Sequence, residues 1–288
     1  MLVQVLISGI ALGSLYGLIA LGFTLVFKAT DVFNFAQGML VACGAYLAYV
    51  TISKLGLPFP LAVVVIMAVA AILGVAIHAL IIQPLSGRPM LPVVMATLAL
   101  AIILRSLLEL IFGPDGKTFT TPMPSGVIQF GEVRLSRLHL TAAVVSWLCM
   151  GLFALFFRFS SAGLLMRATA SSHEAALACG VNISRINRMA WAIGGVLAAL
   201  GGLFMGQIQW VSAELEHIGM LVLPAVVIGG LRSIPGAVVG GLLVGVIEQF
   251  AAAYVSPKAT DMLVYIPALL ILMVRPWGLL GQRELGRV

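Results

Sequence analysis

Apolar runs separated by short polar stretches dominate this chain, and their lengths predict its secondary structure. Nine runs can be recognised, at about 2–27, 39–53, 61–82, 92–112, 139–157, 189–211, 218–231, 237–255 and 262–274. A membrane-spanning helix needs about 20 apolar residues, a length that the longer runs reach. The pattern therefore predicts an all-α polytopic membrane protein with about eight or nine transmembrane helices, some of them broken or re-entrant.

Two polar or glycine-rich breaks interrupt this pattern, one in each half of the chain. The first covers 28–38 and the second covers 229–236. Paired interruptions of this kind are typical of discontinuous helices around a central site, and irregular backbone within a membrane needs protein or a watery cavity to satisfy it. For the first break, an ordinary short loop is the alternative. The residues that we expect along a translocation path are Asn34, Gln37, Gly38, Gly229 and Gly230.

Small and charged residues inside the apolar runs predict helix contacts. Gly9, Gly13 and Gly17 lie four residues apart, so they share one helix face where a second helix can approach closely. Arg105 and Glu109 have the i,i+4 spacing of an ion pair that neutralises itself on one face. We interpret both features as contributing to helix packing and not to transport.

The loop at 158–188 is the most basic interruption between two apolar runs. It contains one acid, Glu174, and four arginines: Arg158, Arg167, Arg185 and Arg188. Because cytoplasmic loops of membrane proteins are enriched in Lys and Arg, this loop is predicted to be cytoplasmic. Counting nine crossings then places the N-terminus outside and the basic tail with Arg283 and Arg287 inside, although Arg134 and Arg137 fall on the predicted outer side.

A short helix is predicted inside this loop. Ser171 and Glu174 have the spacing of a capping box, and Gly180 is the residue best able to end the helix in a left-handed conformation. Asn182 or Ser184 can cap a second helix that continues into the next span. A two-turn helix is unstable alone in water, so the first helix is expected to pack against a partner.

Composition excludes several other classes of protein. Hydrophobic residues make up 61% of the 288 positions and charged residues 9%, which is unlike a soluble domain. The net charge of +6 comes from residues beside the apolar runs, so nucleic acid is not an expected partner. Three cysteines and four histidines show no metal-ligand or catalytic spacing. No cofactor, metal site or enzymatic activity is expected.

Several segments together resemble a known family. Glu174, Ala175, Ala176 and Gly180 resemble the EAA signature of ABC importer permeases. The stretches at 17–26, 34–38 and 229–236 are, with that loop, similar to permeases of branched-chain amino acid ABC importers and occur in the same order. The resemblance covers nearly the whole chain and implies a single transmembrane permease domain over 1–288.

The resemblance also implies a function and partners. In that family the EAA loop forms coupling helices that dock on a cytoplasmic ATPase. The expected complex, in a bacterial cytoplasmic membrane, contains two ATP-binding subunits, a second related permease and an external solute-binding protein. The chain has no Walker motif, so ATP hydrolysis is expected in the partner subunits. The solute would be an amino acid, with urea or short amides as an alternative within the family.

A secondary transporter driven by an ion gradient is the alternative from another class. Such a protein needs intramembrane carboxylates to carry the coupling ion, for which Glu109 and Glu248 are the candidates.

Overall fold

A computed structural model describes residues 2–121, 126–130, 133–256 and 259–281 of this mainly helical chain. The helices are α1 (Leu2–Thr30), α2 (Gln37–Ala48), α3 (Phe59–Ile77), α4 (Met90–Phe112), α5 (Arg137–Phe159), α6 (Ser161–Ser171), α7 (His173–Ala178), α8 (Ile183–Ile208), α9 (His217–Gly229), α10 (Ile234–Tyr254) and α11 (Thr260–Val274). Between α4 and α5, strands β1 (Val127–Phe130) and β2 (Val133–Ser136) form an antiparallel hairpin. The all-α prediction did not include these strands.

Short segments of other helical geometry extend three of these helices. α2 continues as a π-helix over Tyr49–Lys54, and α3 continues through a π-helix (His78–Ile82) and a 3₁₀ turn (Gln83–Leu85). A second 3₁₀ turn, Ala213–Glu216, leads directly into α9.

Six helices in the described part of the chain are long and apolar enough to cross a membrane. They are α1, α3 with its continuation to Leu85, α4, α5, α8 and α10. Helix α11 is apolar but shorter, and α2 and α9 have only 12 and 13 residues. A total of eight or nine spans therefore stays a prediction, because it depends on these shorter helices.

Helices α1 and α10 pack antiparallel through the predicted glycine face. A methyl group added at Gly13 would lie 2.8 Å from the Leu242 Cα atom, and one added at Gly9 would lie 2.7 Å from the Val246 Cα atom. Such distances leave no room for a side chain, so the prediction of a close helix contact is confirmed.

The helices run between two ends of the molecule that differ in charge. The end that holds α6, α7 and the start of α8 also holds the end of α1, since α1 and α8 run antiparallel through Gly22 and Gly194. We call this the basic end, and we call the opposite end, with the β-hairpin, the hairpin end. The described charged residues of the hairpin end are of mixed sign and include Lys54, Arg105, Lys117, Arg137, Glu109, Asp115, Glu214, Glu216, Glu248 and Asp261.

The first break lies inside the helix bundle. Helix α2 runs alongside α8, with Val41 against Gly202 and Ala45 against Gly206, but it starts only about halfway along α1. The Gln37 side chain reaches the Ile19 carbonyl oxygen at 3.5 Å. Residues 31–36, which are not helical, therefore run beside the last turns of α1. Val32, Asn34 and Ala36 are buried there, whereas Asp31 and Phe35 are exposed.

The second break, between α9 and α10, is closed by the segment that follows α11. Gly230 has a φ of 109°, and the N–H groups of Leu279 and Leu280 donate to the carbonyls of Ile228 and Gly229 at 2.8 and 3.1 Å. The end of α9 thus finds hydrogen-bond partners within the protein.

Candidate functional site

The loop at 158–188 contains more helix than predicted. Helix α6 begins after Ser160, whose hydroxyl accepts the Gly163 N–H at 2.9 Å, and it ends at Ser171. Helix α7 follows, and α8 then starts inside the predicted loop, at Ile183. The Asn182 side chain accepts the Arg185 N–H at 3.0 Å, which confirms the predicted cap.

The predicted cap at Ser171 is wrong by one residue. Ser171 is the last residue of α6, and it is the Ser172 hydroxyl that accepts a backbone N–H, from Ala175, at 3.2 Å. The reason is that α6 uses Ser171 in its own final turn, so the extended residue that separates the two helices is Ser172. Gly180 has the predicted left-handed conformation, with φ 78°.

The four residues of the EAA signature do not share one environment. Glu174, Ala175 and Gly180 are exposed, whereas Ala176 is 4% exposed and faces the rest of the chain. Leu177, which the sequence analysis did not single out, is 59% exposed. An exposed leucine on a short helix gives α7 an apolar surface that no described residue covers.

The polar residues of the first break are buried and bonded to each other. Asn34 and Gln37 are 1% and 2% exposed. The Asn34 Nδ2 donates to Gln37 Oε1 at 3.0 Å, and Asn34 Oδ1 accepts the Ala36 N–H at 3.2 Å. These bonds supply partners for the backbone and side chains where α2 begins.

The candidate path glycines are points of close backbone approach. A methyl group at Gly38 would lie 2.2 Å from the Glu216 carbonyl oxygen, and one at Gly229 would lie 2.0 Å from that of Gly236. A methyl group at Gly230 would lie 2.7 Å from the Trp277 carbonyl oxygen. These glycines do not line any of four cavities found in the described part of the chain.

The two breaks meet at the basic end through an ion pair. The Arg232 Nη2 donates to Asp31 Oδ1 at 2.5 Å, across 201 residues of sequence. Asp31 has a φ of 54°, a conformation that costs an L-residue energy and that Asp tolerates better than most. The structure therefore brings together the two interruptions that the sequence suggested as a pair, although their glycines and amides do not form one pocket.

A cavity of about 660 Å³ lies at the hairpin end, where α4 and α10 end and α9 and α11 begin. Arg105 on its wall pairs with Glu109 at 3.0 Å, as predicted, and also with Glu216 at 3.3 Å. His217 and Asp261, 3.3 Å apart, also line the cavity. The sequence analysis did not identify this cluster, because the partners come from helices far apart in the chain.

Comparison with known proteins decides the family. Residues 5–274 match the family model described as the permease component of branched-chain amino acid transport systems. The chain belongs to this family.

Named relatives match the permease over nearly its whole length. The high-affinity branched-chain amino acid transport system permease protein BraD of Pseudomonas aeruginosa is 31% identical, over 99% of this chain and 97% of its own. The corresponding protein LivH of Salmonella typhimurium is 29% identical with the same coverage. A probable LivH of Methanocaldococcus jannaschii is 28% identical, over 96% of this chain and 92% of its own.

A solved structure shares the fold of the permease. The chain from the structure titled "PsaBC from Streptococcus pneumoniae in complex with Fab" superimposes with a TM-score of 0.50 and 12% identity, over 93% of this chain and 91% of that one. At this identity the likeness concerns the fold alone.

Proposed function

We propose that this permease is the membrane-spanning subunit of an ATP-driven importer and passes branched-chain amino acids across the bacterial cytoplasmic membrane. The match to the permease family over residues 5–274 carries this proposal. The names of its relatives, BraD and LivH, support branched-chain amino acids as the solute. The partners in this proposal are two ATP-binding subunits, a second related permease and an external solute-binding protein.

The charge distribution supports an orientation with the basic end in the cytoplasm. In the described residues the basic end carries Asp31 and Glu174 as acids, against a larger basic set of Lys28, Arg88, Arg158, Arg167, Arg185, Arg188, Arg232 and Arg275. An excess of Lys and Arg near span ends marks the cytoplasmic side. The N-terminus is then outside and the C-terminus inside. Arg283 and Arg287, which also entered the sequence prediction, lie outside the described residues.

Helix α7 is the proposed docking element for the ATPase. Glu174, Ala175 and Gly180 are accessible there, and Leu177 adds an apolar contact, whereas Ala176 supports the helix from beneath. The cap at Ser172 and the turn at Gly180 define the two ends of this helix. A rigid, exposed helix on the cytoplasmic side can transmit motion from a partner.

The two alternatives differ from this proposal in energy source and solute. An ion-coupled transporter would use a membrane carboxylate, and the Glu248 Oε2 atom is buried without a hydrogen-bond partner among the described residues. A urea or amide permease would share the partners but not the solute.

Reconstitution separates the three functions. The permease, its partner permease, the ATP-binding subunits and the solute-binding protein are placed in liposomes, and uptake of labelled leucine is followed. We expect uptake that needs hydrolysable ATP, that excess isoleucine inhibits and that urea leaves unchanged. Uptake driven by a proton or sodium gradient without ATP would overturn the proposal, and inhibition by urea alone would redirect it to amides.

A further inference from the structure

The cavity at the hairpin end combines opposite charges with apolar residues. Its lining includes the charged side chains of Arg105, Glu216 and Asp261 and the apolar residues Leu221 and Ala252. Its volume of about 660 Å³ is within the range of small-molecule sites. Such a lining suits a ligand that carries both charged groups and a hydrocarbon group.

Arg105 is held in place with donors to spare. Its Nε donates to Glu109 and its Nη1 to Glu216, at 3.0 and 3.3 Å. A guanidinium has five N–H donors in a fixed fork, so these two bonds orient it without using all of them. A carboxylate is the partner that the remaining donors fit best, because a planar guanidinium can bind it through two parallel hydrogen bonds.

Apart from Arg105 and His217, the titratable residues of the described lining are acidic. Asp261 pairs with His217 at 3.3 Å, and Glu214 also faces the cavity. Glu248 lies on the wall as well, with its Oε2 atom buried and without a hydrogen-bond partner among the described residues. The Asp261 side chain is largely exposed and the Glu248 carboxyl interacts with the Tyr16 hydroxyl. The described lining nevertheless has four acids against one arginine and one histidine, and this excess of acids favours a ligand that brings a positive charge.

We propose that this cavity binds the zwitterionic end of an α-amino acid as it enters the permease from the hairpin end. Arg105 binds the α-carboxylate, the carboxylates of Glu248 and Asp261 bind the α-ammonium group, and apolar lining residues such as Leu221 contact the side chain. This inference rests on the proposed function and adds the residues that recognise the solute.

The test uses a cysteine placed inside the cavity as a reporter. Ala252→Cys is made in a Cys179→Ser background, and the complex of the permease with its partner permease and ATP-binding subunits is put in nanodiscs without the binding protein. The rate at which a cationic methanethiosulfonate reagent modifies the new thiol is measured with and without leucine. The signal of the same background without Cys at 252 is subtracted.

We expect leucine to slow the modification of the thiol, and we expect two analogues of leucine to leave its rate unchanged. Leucinamide lacks the carboxylate and 4-methyl-2-oxopentanoate lacks the ammonium group. Arg105→Gln should raise the leucine concentration needed for protection by about tenfold or more, because it removes hydrogen bonds between charged groups. Arg137→Gln, which removes an exposed charge at the same end but outside the cavity, should leave protection unchanged. If the Arg105→Gln variant does not assemble, Glu248→Gln tests recognition of the α-ammonium group, and it should also raise the leucine concentration needed for protection.

Two results would overturn the inference. One is normal ATP-driven leucine uptake by the complete complex with no protection either at 252 or in a variant with Met220→Cys, a position that also lines the cavity. The other is equal protection by leucine and both analogues, which would mean that the charged groups are not recognised. Absence of ATP-driven uptake would instead refute the proposed function, so the two failures are distinguishable.

Discussion

The amide residues of the first break illustrate what a single side chain does in this fold. Asn34 was expected along the path because it is polar at a helix break, yet its side chain is 1% exposed and bonded to Gln37 and Ala36. A buried polar group without a partner is costly, so these bonds stabilise the point where α2 begins inside the bundle. A role in translocation stays a prediction, and a role in stability follows from the hydrogen bonds.

Replacing Asn34 should therefore lower stability. Asn34→Leu leaves the Ala36 N–H and Gln37 Oε1 without their partner, which should cost about 1–3 kcal/mol in the free energy of unfolding. Thermal unfolding can be followed with a thiol-reactive dye, since Cys43 is buried in the folded protein.

The control is Thr30→Val, which removes a part-buried hydroxyl from the nearby end of α1. It should change the melting temperature little, because the Val26 carbonyl oxygen still accepts its backbone hydrogen bond within helix α1. Equal melting temperatures for Asn34→Leu and the unmodified protein would show that this hydrogen-bond network does not stabilise the break.

At the scale of elements, helix contacts depend on glycine in the α1–α10 pair. A methyl group at Gly245 would lie 2.3 Å from the Gly13 Cα atom. Close approach of backbones is how helices associate in membranes, where apolar side chains gain little by leaving lipid. The close contact between α1 and α10 therefore depends on the absence of side chains at these glycines.

Gly245→Val should consequently destabilise the permease by more than about 1–3 kcal/mol, the usual cost of overpacking, because the obstacle is backbone and not a flexible side chain. The matched control is Gly151→Val in α5, where an added methyl group meets nothing within 4 Å. The yield of monodisperse protein in mild detergent is the measurement. Similar yields for both variants would contradict the packing argument.

Helix α7 leads to a prediction about coupling. Leu177→Asp should reduce solute-stimulated ATP hydrolysis in the reconstituted complex, because it puts a charge on the exposed apolar surface of α7. Leu177→Met should retain most of the stimulation, since it keeps an apolar side chain of similar volume. Ala176→Asp is a poorer test, because Ala176 is buried and its replacement would disturb folding of the loop. Full stimulation in Leu177→Asp would remove this helix face from the docking surface.

The turn at Gly180 allows a test of conformation alone. An added side chain meets nothing within 4 Å, so the cost of Gly180→Val arises from the φ of 78°, at about 1 kcal/mol or more. Gly180→Asn should be milder, because Asn tolerates the left-handed region. In a pull-down, we expect the Gly180→Val variant to bind the ATPase more weakly than the Gly180→Asn variant. The reverse order would show that the left-handed conformation at Gly180 does not determine binding.

For the whole molecule, the separation of charge between the two ends predicts its orientation. The natural Cys179 is exposed at the basic end and serves as a reporter. A membrane-impermeant maleimide should label it only after cells are permeabilised. Thr120→Cys in a Cys179→Ser background should be labelled in intact cells, because Thr120 is exposed at the hairpin end. Labelling of Cys179 in intact cells would invert the orientation and move the proposed ATPase contact to the wrong side.

Local patterns in the sequence determined the helical membrane fold, the glycine face of α1, the left-handed turn at Gly180 and the unequal charge of the two ends. Each of these depends on residues close together in the chain, such as an apolar run of sufficient length or a repeat of four. The displaced cap at Ser172 shows the limit, because the end of α6 competes with the start of α7 for the same residues.

Only the tertiary structure decided which surfaces these elements present. It buried Ala176 and exposed Leu177, turned Asn34 toward Gln37, and joined Asp31 to Arg232. The charged cavity is the clearest case, since Arg105 meets Glu216 across 111 residues and His217 meets Asp261 across 44. Periodicity tells which residues share a helix face, but the partner of that face is chosen by the packing of distant helices.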